Sequence, residues 1–172
     1  QQRKKKQSPP PTPQIATNTF PTKPINVLFR SSKTRPDDVA VIIGNADYKK
    51  LGKDIPDVIP AYADAEGFKR YVIEALGVRE GNVIDLRDAT QAQLIATLGN
   101  RDTHKGALWR YLDPDGGSDV VVFYSGHGVP SLEDEQAYLL PVNADPNVPQ
   151  INGYPLDLLY TNLAKLETEI DI

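Results

Sequence analysis

Apolar residues in this chain occur in two alternating patterns, short continuous runs and longer stretches with helical spacing. The continuous runs are rich in β-branched residues and lie at residues 39–44 (VAVIIG), 82–86 (NVIDL) and 119–124 (DVVVFY). A run without polar alternation is typical of a strand that helices cover on both faces. The pattern therefore predicts three buried strands.

Stretches with helical spacing follow each predicted strand. Helices are expected over residues 61–77, 90–98, 103–112 and 155–167. The first is expected to stop at Gly77, and Thr90 with Gln93 forms a capping box that begins the second. Residues 137–147 (AYLLPVNADPN) predict a short extended segment and a loop.

Two of these helices have a defined apolar side. In the third helix that side is expected to consist of Ala107, Leu108, Tyr111 and Leu112. In the last helix it is expected to consist of Leu156, Leu159, Leu163 and Leu166.

The alternation of strands and helices predicts an α/β fold, a sandwich of helices around a mainly parallel central sheet. Functional sites in such folds gather at the carboxyl ends of the strands, and residues 125–128 (SGHG) directly follow the third strand. The pattern ends on a helix without a closing strand. We therefore expect the last core strands to be missing from these 172 residues.

Proline, charge and polar residues dominate residues 1–24, which we interpret as a flexible arm ahead of a domain at 25–172. The basic run at residues 3–6 (RKKK) is interpreted as a solvated tail. Because the chain begins with Gln1 rather than methionine, a further segment is expected to precede it.

Composition narrows the function classes. The net charge of −4 gives no general attraction to nucleic acid or to an anionic membrane. No apolar run approaches the roughly 20 residues that cross a bilayer, so a soluble polypeptide without a membrane span is expected. The absence of cysteine excludes a disulfide, a thiolate metal site and a thiol nucleophile within these residues.

His127, between Gly126 and Gly128 at the end of the third strand, is the main candidate for chemistry. Flanking glycines leave the ring accessible and let the backbone approach a ligand, and imidazole transfers protons near neutral pH. A purely structural interpretation stays open, in which the ring ends the strand and bonds to a carbonyl group.

Several chemistries fit the residues poorly. A metal site is not expected, because His104 is the only other histidine and cysteine is absent. Ser125 lacks the glycine-flanked nucleophile elbow of a serine hydrolase. A nucleotide-binding domain is disfavoured because no glycine-rich phosphate loop follows the first strand. The remaining interpretation is a histidine that activates a nucleophile located at the end of another strand.

Four segments in this order, VAVIIGNADY, IPAYADAEGF, DVVVFYSGHG and YLLPVNAD, resemble caspase-like cysteine peptidases, nearest to bacterial metacaspases and orthocaspases. The resemblance covers residues 38–172 and implies a caspase-like three-layer sandwich. It also implies that His127 is the catalytic base for a cysteine thiolate and that the backbone N–H of Gly128 binds the oxyanion.

Metacaspases cleave after arginine or lysine with an acidic pocket, so a peptide substrate with such a residue is expected. The resemblance places Asp64, Ser125 and Gly126 in substrate binding. Other interpretations stay open, because Asp64 also suits the first turn of a helix through the helix dipole and Ser125 also suits a turn.

The nucleophile is missing from the chain. Caspase spacing places the cysteine roughly 50 residues after the histidine, which is about position 177. We therefore expect the thiol from a continuation or a separate small subunit, and no turnover by these 172 residues alone. The alternative is a pseudoenzyme with the caspase fold that acts as an interaction module.

The resemblance requires no cofactor, and calcium is carried only as a candidate activator because it activates many metacaspases. The acidic stretch at residues 132–136 (LEDEQ) lacks the alternating ligand spacing of a dedicated calcium loop, so a solvated loop is the favoured interpretation. The compartment is left open between the bacterial cytoplasm and export after removal of an N-terminal segment.

Overall fold

The computed structural model describes residues 21–25, 27–30, 33–50 and 55–168. The strands are β1 (Val39–Gly44), β2 (Val83–Arg87), β3 (Val120–Ser125), β4 (Gly128–Pro130), β5 (Ala137–Leu139) and β6 (Tyr154–Pro155). The helices are α1 (Ala61–Tyr71), α2 (Gln91–Leu98), α3 (Ala107–Tyr111), α4 (Pro149–Asn152) and α5 (Leu156–Thr168). Short 3₁₀ turns lie at Tyr48–Lys50 and Glu80–Asn82.

The three predicted strands form one parallel sheet in the order β2-β1-β3. Every residue of β1 is buried, since this strand lies in the middle of the described sheet. Its register places Gly44 beside Arg87 on one side and beside Ser125 on the other. The carboxyl ends of all three strands therefore meet at one edge.

The two faces of the sheet bury different helices. Ala40 and Ile42 face a cluster with Ala65 and Val72 of the α1 side. The alternate residues of β1 face the opposite cluster, to which α2, α3 and α5 contribute Leu94, Leu98, Leu108, Leu159 and Leu166. Because side chains alternate along a strand, one apolar run serves both layers. The predicted three-layer α/β sandwich with a parallel sheet is thus confirmed.

Helix boundaries differ from the predictions where side chains compete with the backbone. The third helix is shorter than the predicted 103–112, because Asn100 Oδ1 accepts the N–H groups of Asp102 and Thr103 and holds a turn before it. Tyr111, expected on its apolar side, is 45% exposed. A π-helical segment, Val72–Leu76, continues directly from α1 and ends at Gly77, which has a φ of 84°, so the predicted stop is confirmed.

A second, antiparallel sheet in the order β4-β5-β6 lies beyond the third strand. Only its middle strand falls in a segment predicted to be extended. The strands β4 and β6 are three and two residues long, too short to show alternation in the sequence. Within the described residues, no helix combines the length and the apolar character needed to cross a bilayer.

The predicted capping box at the start of α2 is confirmed. The Thr90 hydroxyl accepts the N–H of Gln93 at 3.4 Å, and the Gln93 side-chain oxygen accepts the N–H of Thr90 at 2.9 Å. Replacing Thr90 by alanine is expected to lower the free energy of unfolding by about 1 kcal/mol, measured by urea denaturation. Thr90→Ser keeps the hydroxyl and should unfold close to wild type; equal losses in both variants would contradict the assignment.

Candidate active site

Three strand ends converge at the carboxyl edge of the parallel sheet. The N–H of Asn45, just after β1, donates to the carbonyl of Ser125 at 2.8 Å, and the N–H of Asp88 donates to the carbonyl of Gly44 at 3.0 Å. These bonds extend the pairing of β1 with β3 and of β1 with β2 by one residue each. The turn at residues 125–128 therefore lies at the carboxyl edge of the sheet, where sites of parallel α/β folds are found.

Asn45 is fully buried at this edge and joins three segments. Its side-chain oxygen accepts the N–H of Ala89 at 2.8 Å, and its amide nitrogen lies 3.3 Å from the carbonyl oxygen of Leu140. A buried backbone group must be paired, and here one amide pairs groups from two distant loops. Sequence reasoning assigned no role to Asn45.

The half-buried imidazole of His127 bonds to a backbone carbonyl, with Nε2 2.7 Å from the oxygen of Pro56. A carbonyl oxygen only accepts hydrogen bonds, so this contact requires a proton on Nε2. In the neutral ring the Nδ1 atom is then the unprotonated nitrogen. His127 is thereby held in the tautomer whose Nδ1 accepts a proton.

Two tyrosines lie beneath this turn. The Tyr48 ring meets the imidazole edge-on, with centroids 4.7 Å apart, and the Tyr48 and Tyr124 hydroxyl oxygens are 3.2 Å apart. Burial raises the pKa of both phenols above their usual value. They therefore stay protonated at neutral pH. Neither residue was singled out as functional from the sequence.

The two glycines beside His127 differ in the space that surrounds their Cα atoms. A Cβ on Gly126 would lie 2.7 Å from each phenol oxygen, so packing requires glycine there. A Cβ on Gly128 would meet only the carbonyl oxygen of Tyr138, at an ordinary 3.6 Å. Among the described residues, packing therefore leaves room for a side chain at Gly128 but not at Gly126.

The backbone N–H of Gly128 points away from β5. The bond from the N–H of Leu140 to the carbonyl of His127, 2.9 Å long, identifies these two residues as a hydrogen-bonded pair in the antiparallel pairing that continues into β4 and β5. Hydrogen-bonded and non-bonded pairs alternate along such a ladder, which makes Gly128 and Leu139 a non-bonded pair. The N–H of Gly128 is therefore directed outward from the sheet.

Asp64 and Ser125 are in direct contact. The Ser125 hydroxyl donates to the Asp64 carboxylate at 3.0 Å, while His127 bonds to Pro56, so serine and histidine are not paired with each other. Asp64 is exposed in the first turn of α1. Among the described residues, no cation lies within 4 Å of its carboxylate.

A cavity of about 690 Å³ opens beside this pair, between α1 and β3. Asp64 and Ser125 form one end, and Phe68, which stacks on Phe123, forms an apolar wall. The other side is lined by Pro21, Lys23, Pro24, Ile25 and Phe29. Arg70 donates to the carbonyl of Val27 in the same segment at 2.9 Å. The cavity thus combines a carboxylate with aromatic surface.

Asp88 shapes the loop that carries Tyr48. Its carboxylate accepts the N–H groups of Ala46 and Asp47 at 2.9 and 3.0 Å and the hydroxyl of Tyr62. Burial acts to raise the pKa of Asp88, but these hydrogen bonds outweigh it and hold the pKa below the usual value. Asp88 adopts a positive φ of 50°, which a short polar side chain tolerates best.

Two carboxylates of the acidic loop at residues 132–136 bond to neighbouring side chains. Glu133 accepts a hydrogen bond from Gln150 at 2.7 Å, and Asp134 accepts one from Tyr138, which lowers the pKa of Asp134. Within the described ranges, no three histidine, aspartate or glutamate side chains gather around a common point. Activation by calcium stays a prediction.

The parallel sheet between helical layers, with a histidine directly after its third strand, defines an α/β protein. The family model of the caspase domain, a peptidase family, matches residues 37–164. The chain therefore belongs to the caspase-domain peptidases, whose substrates are proteins. A comparison with curated proteins found no match.

Proposed function

We propose that this protein is the histidine-bearing large-subunit part of a caspase-like endopeptidase of the metacaspase or orthocaspase type, cleaving after arginine or lysine. The thiol is supplied from outside these 172 residues, which contain no cysteine. The observation that carries the proposal is the bond between His127 Nε2 and the Pro56 carbonyl, 2.7 Å long. It leaves Nδ1 as the base that such a reaction needs.

In the acylation step, His127 takes a proton from the thiol and then gives it to the leaving amine. Nδ1 takes the proton of the cysteine thiol, and the thiolate attacks the carbonyl carbon of the scissile bond. The resulting imidazolium gives the proton to the leaving amine as the carbon–nitrogen bond breaks. Water then hydrolyses the thioester, with the same nitrogen as base, and the thiol is regenerated.

The Gly128 N–H supports the tetrahedral intermediate. Because it points away from β5 and the residue has no side chain, a substrate carbonyl can approach it closely. A backbone donor aimed at the developing oxyanion stabilises the transition state more than the ground state. The cysteine's own N–H is the second donor that the resemblance implies.

The carboxylate of Asp64 is proposed to bind the arginine or lysine side chain of the substrate. Three observations support this role: the carboxylate is exposed, it has no cation within 4 Å among the described residues, and it lines a cavity with aromatic walls. Aromatic and apolar walls suit the methylene stem of a long basic side chain. The Ser125 hydroxyl orients the carboxylate through its 3.0 Å bond.

Replacing Asp64 by asparagine in the thiol-containing peptidase is expected to lower kcat/KM for arginyl and lysyl peptides by about 10- to 100-fold. The reason is the loss of a charge-assisted bond worth about 1.5–3 kcal/mol. Glu66→Gln is the matched control, because Glu66 lies two residues further along α1 and pairs with Arg87 at 3.7 Å. Equal losses in both variants would remove Asp64 from substrate binding.

The proposal is tested by assaying the protein together with its cysteine-bearing segment on arginyl, lysyl and aspartyl peptides. Turnover of the basic peptides that stops on thiol alkylation is the expected result. Hydrolysis by the 172 residues alone would refute the assigned roles, since no thiol is present in them.

The same absence of cysteine favours a second candidate, a pseudoenzyme that binds protein partners through the caspase fold. The two functions differ in the segment that completes the site. A thiol beside His127 supports the peptidase, whereas a complete site without one supports the interaction module.

A further inference from the structure

One backbone hydrogen bond is replaced in the antiparallel pairing of His127 with Leu140. The N–H of Leu140 donates to the carbonyl of His127 at 2.9 Å, as a regular hydrogen-bonded pair requires. The reciprocal bond is missing, because the N–H of His127 instead donates to the hydroxyl of Tyr48 at 2.9 Å. That hydroxyl in turn donates to the carbonyl of Leu140, also at 2.9 Å.

The phenol of Tyr48 is thus inserted into the ladder. A hydroxyl both accepts and donates, so it can replace a direct backbone bond without leaving either group unpaired. On this side of the pair, the single backbone bond becomes two consecutive ones through the hydroxyl, while the bond from the N–H of Leu140 to the carbonyl of His127 remains. Only the N–H of His127 is therefore diverted from Leu140, next to the Cα from which the imidazole leaves the backbone.

The hydroxyl of Tyr124 contacts the same pair of residues through their carbonyl groups. It lies 2.8 Å from the carbonyl of His127 and 2.9 Å from that of Leu140. Each phenol has one proton, and all groups are satisfied when Tyr48 donates to Leu140 and Tyr124 donates to His127. Both peptide groups of His127 are then bonded to phenols. The missing Cβ of Gly126 leaves the room that the two hydroxyls occupy.

We propose that Tyr48 is the positioning residue of His127, with Tyr124 as its partner: the inserted hydroxyl sets the direction in which the imidazole leaves the strand. The same side chain acts twice, since its ring also packs edge-on against the imidazole at 4.7 Å. The geometry aims Nε2 at Pro56 and keeps Nδ1 available. The consequence for catalysis rests on the proposed peptidase function, whereas the positioning does not.

The Tyr48→Phe variant tests this role because it keeps the ring and removes only the inserted hydroxyl. The N–H of His127 can then bond directly to Leu140, and its peptide rotates. The chain has two histidines, so nitrogen-15 NMR of the labelled 172-residue protein resolves both imidazoles. We expect one neutral tautomer of His127, protonated at Nε2, in wild type and a mixture of tautomers in Tyr48→Phe.

Tyr154→Phe is the matched control, because it removes another buried phenol hydroxyl, one that bonds to the carbonyls of Leu98 and Gly99 rather than to the turn at His127. It should leave the His127 signals unchanged. Wild-type His127 signals in a folded Tyr48→Phe variant would overturn the proposal. If that variant does not fold, Tyr124→Phe is measured instead, and an unchanged tautomer there would overturn it equally.

Kinetics separate positioning from substrate binding in the thiol-containing peptidase. Tyr48→Phe is expected to lower kcat by about 10- to 100-fold with KM nearly unchanged, since a small misplacement of a base costs rate. An increase in KM alone would contradict the role. Because the NMR measurement needs no thiol, it decides on positioning even if peptidase activity is not found.

Discussion

Replacing His127 by alanine in the thiol-containing peptidase is expected to lower kcat/KM by about 10²- to 10⁴-fold, the range for loss of a positioned general base. In the structure the imidazole lies with Nε2 2.7 Å from the carbonyl oxygen of Pro56, and under the proposed function Nδ1 accepts the thiol proton. Hydrolysis of an arginyl peptide measures the effect.

His104→Ala is the control for that experiment, because His104 is the other histidine of the chain. It lies in the loop before α3, on the side of the fold that packs α2 and α3 together. Its removal should leave kcat/KM within about twofold of wild type, as expected of a group that does not touch the reacting atoms. A loss as large as that of His127→Ala would mean that the assay reports folding rather than proton transfer.

Replacing Asn45 by alanine is expected to lower the free energy of unfolding by about 2–3 kcal/mol. The variant leaves the buried N–H of Ala89 without its acceptor and weakens the hydrogen bonding of Leu140, and an unpaired buried polar group costs about 1–3 kcal/mol. Urea denaturation of the 172-residue protein measures the change. Since Leu140 also accepts from Tyr48, the turn at His127 should loosen as well.

Asn147→Ala is the comparison for Asn45. Asn147 is exposed, and its amide bonds to Asp145 two residues away. Surface changes of this kind stay within about 0.5 kcal/mol. Matching stabilities of the two variants would show that Asn45 does not hold the strand ends together.

The central sheet was predictable because each of its strands is encoded by a short run of consecutive residues. Continuous β-branched runs occur where both faces are covered, and β1 is buried along its whole length. The cap at Thr90 and the stop at Gly77 also depend on neighbours a few residues away. The small second sheet was missed because its strands β4 and β6 are shorter than any period can show.

The candidate site was predictable in its residue types but not in its contacts. The glycine-flanked histidine and the resemblance pointed to His127, and the contact between Asp64 and Ser125 joins two residues that the resemblance assigned to one pocket. Their roles stay predictions. No local pattern could show that Tyr48 and Pro56 reach the histidine, because they lie 79 and 71 positions earlier in the chain.

The sequence by itself determined the order of the core strands and the helices that cover them, and the edge of the sheet at which His127 lies. These features follow from side-chain periodicity and from short-range backbone preferences. Only the tertiary structure decided which imidazole nitrogen is protonated, which glycine is needed for packing and which phenol enters the ladder. Each of these depends on atoms that are distant along the chain and are brought within 3 Å of each other by the packing of the sheet edge.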